Sequence, residues 1–290
     1  MGATTGRVWQ TIAVVLLTIA GLGSTPAGAA TGGYVALGDL YTAGPLIPNQ
    51  LADPLGCLRS DHDYPHLVAA ALAPATFRDV SCSGADTGDM TKTQNVNPGP
   101  NPPQLDRLDP GTELVTLGIG GNDIGFSGII ESCVTLVPWE TPCRDTYTAG
   151  GADELSRRIA ATAPKVAAVL AGIHDRAPQA RVLVVGYPAI LPDAGRGCWP
   201  TMPIGWNDVS YLRAKHRELN AMLAAQAAAG GATYVDTYTP SIGHDVCASP
   251  LQRWVEPIVP TSPAAPVHPN ARGMQGMAVA VTGVAAAAAA

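Results

Sequence analysis

No block of like charge occurs in these 290 residues, only 14% of which are charged, and the formal net charge is −6. Without a basic face there is nothing to neutralise a phosphate backbone, which excludes nucleic acid as a partner. Aromatic residues make up only 5% of the chain, and Trp199, Trp206 and Trp254 are the candidates among them for lining a cleft. No CxxC pair is present, so a zinc reading of the cysteines has no support. No internal repeat and no shift in composition marks a domain boundary. The uncharged apolar stretch Ile12 to Leu22 is shorter than the roughly 20 residues that span a bilayer. With Arg7 before it and the small residues Ala27-Gly28-Ala29 after it, residues 1–30 read as a secretory signal peptide. Its removal leaves a single domain, residues 31–290, with no membrane span and a net charge near −7, since Arg7 is the one charged residue lost. A secreted monomer is expected.

Six cysteines in an exported chain read as disulfide partners, metal none, although the count alone leaves the connectivity open. Cys133 and Cys143 are close enough in sequence to staple one loop. Cys57 with Cys82 and Cys198 with Cys247 would complete a sequential pattern.

Short β-rich runs alternate with longer helical patterns. Strands are expected at Tyr34–Leu37, Thr76–Ser81, Glu113–Leu117, Arg181–Val185 and Thr233–Val235. The runs "LVTLGIG" and "RVLVVGY" are apolar throughout, as strands buried on both faces of a parallel sheet are. Helices are expected at Tyr64–Leu72, at Asp153–Ile173 with a kink at Pro164, and at Asp208–Ala229. This alternation predicts an α/β fold, a doubly wound parallel sheet of five strands flanked by helices. Residues 84–104, rich in Gly, Pro, Asn and Thr, read as a long surface loop. Residues 284–290 read as a low-complexity alanine tail, a frayed helix end.

Ligands bind beyond the carboxyl ends of the strands in an open parallel sheet, and four motifs fall there. Gly38-Asp39-Leu40 follows the first strand, and Cys82-Ser83-Gly84-Ala85-Asp86 the second. Gly118-Ile119-Gly120-Gly121-Asn122-Asp123 follows the third. "PVHPNARGMQGMA", with His268 opening the last helix, lies near the C-terminus. Each has a plain reading by itself: Gly84 as a turn glycine, Asn122-Asp123 as a helix cap, His268 as a helix-entry residue. His62, His66, His174, His216 and His244 read as surface or structural.

In that order, "GDLYTAG", "SCSGA", "GIGGND" and "HPNARG" resemble the SGNH (GDSL-type) hydrolases, and most closely their secreted actinobacterial esterase and lipase branch. The resemblance spans Tyr34 to about Ala280. It implies a three-layer α/β/α flavodoxin-like fold, three sequential disulfides, no cofactor, and a small-molecule acyl ester or lipid as substrate. It also implies an oxyanion hole built from a backbone amide at the first turn, Gly84 and Asn122, with Asp39 and Asp123 in support and His268 as general base. Donors aimed at a developing oxyanion lower an acyl-transfer barrier by several kcal/mol.

Two positions depart from the pattern. The family's serine nucleophile falls at Leu40, which has no hydroxyl, and its acid falls at Ala265. A backbone carbonyl, or a carboxylate from Glu256 or Asp245, could orient His268 instead. Thr42 is displaced along the chain from the nucleophile position, and Ser83 would reach the cleft only in an unusual loop arrangement. The sequence therefore predicts either an ester hydrolase frame silenced at Leu40 or a non-catalytic module that binds lipid or acylated glycan in the same cleft.

Overall fold

The computed structural model describes residues 1–3 and 32–287. The expected signal peptide therefore falls outside the described residues apart from its first three, as do the last three alanines. Strands β1 (Gly33–Gly38), β2 (Thr76–Asp79), β3 (Thr112–Gly118), β4 (Arg181–Val185) and β5 (Thr233–Val235) form one parallel sheet in the order β2-β1-β3-β4-β5. Val35, Leu37, Val115, Leu117, Val182 and Val184 enter one core, shared with helices α5 (Glu154–Arg176) and α6 (Trp206–Ala229). The residues between them, Tyr34, Ala36, Leu114, Leu183 and Val185, enter a second core with α2 (Tyr64–Leu72) and α7 (Ala271–Ala287). Both faces of the strands are covered, and that is why their sequences read as unbroken apolar runs.

The strand order places the site. From β1 the chain steps outward to β2, then returns past β1 to β3 and continues away through β4 and β5. Adjacent strands β1 and β3 thus feed loops in opposite directions, which opens a crevice at their carboxyl ends.

Two expectations need correction. The second strand ends at Asp79 rather than Ser81, although the chain stays beside β1, with Val80 N–H donating to Ala36 O (2.9 Å) and Cys82 N–H to Gly38 O (3.0 Å). Helix α5 is continuous through Pro164, where the kink is expected, with Ile159, Thr162, Val166 and Val169 buried on either side. Residues 84–104 are not a surface loop throughout. They contain a 3-10 turn at Thr87–Met90, and both Met90 and Gln104 are fully buried. The Gln104 amide accepts from Gly38 N (2.8 Å) and donates to Gly38 O (2.9 Å), serving as a side-chain ladder partner for the end of β1.

The alanine-rich end is likewise packed as far as the structure describes it: Ala285 is buried and its carbonyl accepts from Arg181. The three disulfides join Cys57–Cys82, Cys133–Cys143 and Cys198–Cys247, the sequential pattern expected. The last closes the longest loop, with a sequence separation of 49. Replacing both of its cysteines by alanine should cost about 4 kcal/mol of stability by the loop-entropy relation, read as a lower guanidinium unfolding midpoint. An unchanged midpoint would show that the unfolded chain gains no freedom there.

Candidate active site

At the end of β1 the chain turns through Asp39 into the one-turn helix α1 (Leu40–Ala43). Asp39 is the helix cap: its Oδ1 accepts from Tyr41 N at 2.9 Å. Its Oδ2 accepts a hydrogen bond from the Tyr187 hydroxyl at 2.6 Å, and that hydroxyl accepts from Gly121 N at 2.8 Å. One carboxyl thus ties the turn after β1 to the turn after β3 and to Tyr187, which follows β4. Burial pushes Asp39 up to about 7, opposed by its hydrogen bonds from Tyr187 and Tyr41.

The other motif loops are joined to this turn. Gly84 has φ +81°, a conformation that a side chain would strain. Asn122 Nδ2 donates to Ala85 O at 2.7 Å, which leaves its second amide hydrogen available. Asp123 accepts from Thr87 N (3.0 Å), Thr87 Oγ1 (2.6 Å) and Lys165 Nζ (3.2 Å). Among the described residues the amides of Leu40 and Gly84 donate to nothing. Neither Asn122 nor Asp123 is the cap of the next helix, α3 (Phe126–Cys133), which starts from Gly125.

His268 lies three residues before α7 rather than opening it; Asn270 accepts from the first free amides of that helix, Arg272 N and Gly273 N. Its neighbour Val267 sits at φ 62°, a strained conformation for a β-branched residue. The strain is held by Tyr41, whose hydroxyl donates to Val267 O at 2.6 Å, and by paired backbone bonds with Glu256. The imidazole packs 4.9 Å from the Tyr41 ring and 6.1 Å from that of Phe126. Its Nδ1 lies 2.7 Å from Pro266 O. A carbonyl can only accept, so Nδ1 carries the proton and Nε2 presents its lone pair. Nε2 is buried and has no partner among the described residues. Burial pushes this histidine down to about 4, against the opposing effect of the Pro266 hydrogen bond.

The carboxylate candidates for orienting His268 serve elsewhere. Glu256 accepts from Thr261 N, Ser262 N and Asn270 Nδ2, and Asp245 accepts from Cys247 N. The backbone carbonyl of Pro266 takes that part. Ala265 contributes only main-chain bonds. Thr42 is buried, with its hydroxyl turned inward against Gly38 and Gly118. Ser83 Oγ is buried without a partner; Leu40, Asp39 and Asn122 line the cleft, whereas Ser83, Gly84 and His268 lie outside its lining.

The cleft encloses about 800 Å³, its open mouth included, and is walled largely by Leu40, Ile124, Phe126, Ile129, Leu155 and Leu212. Asp39, Asn122, Tyr187 and His216 add polar atoms. A mostly apolar concavity with a few convergent polar groups is the usual form of a small-molecule site. His216 is therefore a wall residue rather than a remote structural histidine; its Nε2 is 3.2 Å from Tyr187 O, and burial pushes it down to about 4. The three tryptophans do not line this cleft. Trp199 donates to Thr135 O, Trp206 lies under Arg196, and Trp254 stacks on His244.

His62 and His66 stand four residues apart, a spacing that two metal ligands on one helix face can take. The structure separates their roles, with His62 beside Asp61 and His66 donating from Nδ1 to Asp63 at 2.7 Å. Asp63, His66 and Asp79 gather ligand-type atoms within 4.8 Å. Asp63 Oδ1 also caps α2 through His66 N, and burial pushes Asp63 up to about 7 and Asp79 well above the usual carboxylate range.

Tyr187 carries no motif signal and Tyr41 has no expected role within "GDLYTAG", yet they hold the turn and the histidine segment. Replacing Tyr187 by Phe should orphan Asp39 Oδ2 and Gly121 N–H and lower stability by about 2–3 kcal/mol, measured by urea unfolding; an equal midpoint would show that water replaces the hydroxyl.

Residues 36–275 match the family model described as GDSL-like lipase/acylhydrolase. The chain is 43% identical over 252 residues to lipase 2 of Streptomyces coelicolor, covering 84% of this chain and 83% of that one. It is 34% identical over 251 residues to lipase 1 of the same organism, covering 86% and 84%. Among solved structures, the phospholipase A1 of Streptomyces albidoflavus superimposes with a TM-score of 0.73 at 28% identity, covering 88% of this chain and 99% of that one. The extracellular lipase of Streptomyces rimosus gives 0.72 at 29% identity, with the same coverage. With strands, motif loops and sequence in agreement over most of its length, the chain belongs to the GDSL-like lipase/acylhydrolase family.

Proposed function

We propose that this chain is a secreted ester hydrolase frame of the Ser-His type whose turnover is nearly abolished because Leu40 stands at the nucleophile position. The observation that carries the reading is the unpartnered Nε2 of His268, a buried neutral base with its lone pair unused. A buried polar atom left unsatisfied calls for an explanation, and a hydroxyl at position 40 would supply the missing donor. Three disulfides agree with an oxidising compartment.

With serine at position 40, the chemistry follows from the groups present. The serine oxygen attacks the ester carbonyl while its proton passes to His268 Nε2. The Leu40 and Gly84 amides and the free Asn122 hydrogen receive the carbonyl oxygen as it becomes negative. His268 then returns the proton to the departing alcohol, and a water repeats the sequence on the acyl group. The Pro266 carbonyl holds the imidazole in the tautomer this requires. Leucine removes the first step. In a serine protease, loss of the nucleophile costs about a millionfold in kcat.

A second reading has one observation of its own. Leu40 adds an apolar side chain to the cleft wall, which suits a non-catalytic module that retains a lipid or acylated glycan. Calorimetric titration with fatty acids and acylated glycans tests it, and no heat across the panel would count heavily against it.

The primary test is p-nitrophenyl butyrate hydrolysis by the protein and its Leu40→Ser variant. The parent should be inert and the variant active, with activity abolished again by adding His268→Ala. A parent as active as the variant would mean that Leu40 does not occupy the nucleophile position. The variant's kcat/KM should also fall on the acid side only near pH 4: an imidazole lowered to about 4 is still neutral at pH 5, and loses its base function only as it protonates. A limb near the ordinary histidine value would show a solvated, unperturbed imidazole.

A further inference from the structure

Helix α3 forms part of the cleft wall through Phe126, Ile129 and Ile130 and then runs directly into the segment that precedes α4 (Pro142–Thr148). One turn beyond Ile130, Val134 is 40% exposed; Leu136 is 86% exposed and Trp139 is 68% exposed. No residue from Val134 to Trp139 is charged. Large apolar side chains left in water so close together mark an interaction surface.

The backbone beneath them is firmly held. The Cys133–Cys143 disulfide closes the segment, and Val134 bridges to Ile204. Thr135 N donates to Pro203 O (2.8 Å) and Trp206 N to Pro138 O (2.7 Å). Trp199 Nε1 donates to Thr135 O (3.1 Å). At the base, the Asp208 carboxylate accepts from Cys143 N (2.8 Å) and Arg144 N (3.0 Å). Gly205 permits the close approach, since a Cβ there would lie 2.0 Å from Glu140 O. A rigid loop that presents an aliphatic and an indole side chain loses little entropy on docking.

We propose that Leu136 and Trp139 insert into a zwitterionic lipid surface and hold the mouth of the cleft against it. The uncharged tip follows directly from a helix of the apolar cleft wall, and an indole ring suits the boundary between headgroups and hydrocarbon. Glu131 and Glu140 flank the segment and disfavour an anionic surface. The inference rests on the cleft being a lipid site but not on the identity of the nucleophile, so it stands or falls apart from the Leu40→Ser test.

The experiment is partitioning of the purified protein onto phosphatidylcholine vesicles, followed by flotation. Leu136→Ser and Trp139→Ser should each weaken binding about tenfold and the pair about a hundredfold, as expected for losing one buried apolar anchor apiece. Val279→Ser, an exposed position on α7 across the sheet, should bind like the parent. Independently of those variants, dibrominated phosphatidylcholine should quench the parent's tryptophan emission, and Trp139→Phe should remove that quenching. A parent that does not float, or a double variant that floats like the parent, overturns the proposal. So does a parent that forms a dimer, loses it in the double variant and ignores vesicles, because the face would then belong to a second copy of this chain.

Discussion

The site depends on one buried carboxyl. Asp39 caps α1 through one oxygen and takes the Tyr187 hydroxyl on the other, and Tyr187 in turn receives Gly121 N–H. Three strand ends meet at that group: β1 before it, β3 through Gly121, and β4 through Tyr187. Burial raises its pKa to about 7, so near neutrality it exchanges between an acid that can donate and a carboxylate that can only accept. The cap bond uses one carboxyl oxygen and the Tyr187 hydroxyl the other, and that hydroxyl in turn accepts from Gly121 N. A catalytic frame needs donors fixed before charge develops, and this connection fixes them without a metal-type ligand set.

The histidine is supported in a different way. No carboxylate among the described residues reaches its ring; a carbonyl two residues back sets the tautomer, and the left-handed turn at Val267 aims the ring. A carbonyl orients the imidazole but adds no full negative charge to stabilise an imidazolium. The burial that leaves Nε2 dry therefore lowers the histidine's pKa without opposition from an acid. Tyr41 carries the conformation from the turn itself, since it belongs to α1, packs on the ring and holds Val267 O. The turn after β1 thus sets both position 40 and the base that would serve it.

The apolar cleft and the exposed segment after α3 share one wall helix and one disulfide. The disulfide and the Asp208 cap fix the segment that follows that helix. Leu40 extends the same apolar surface to the point where a hydroxyl would otherwise interrupt it. The chain carries the contacts of a GDSL-like lipase/acylhydrolase frame with leucine at position 40.

Sequence alone determined the elements whose signals are local. Apolar runs in "LVTLGIG" and "RVLVVGY" report burial on both faces, and the Asp63 and Asp153 caps mark where α2 and α5 begin. The order of the first three motifs placed Leu40, Gly84 and Asn122 after strand ends, because parallel topology brings every such end to one edge, whereas His268 lies after the last strand, just before α7. Tertiary structure alone decided what those residues touch. Tyr187, Gln104 and His216 lie outside the motifs and show no spacing of their own, and the hydrogen bond from Tyr187 to Asp39 spans 148 residues; Tyr41 lies within the first motif, but its bond to Val267 O reaches across 226. The same holds for the partner of His268: a backbone carbonyl has no residue identity to read, and only the turn at Val267 determined that Pro266, rather than Glu256 or Asp245, would meet the ring.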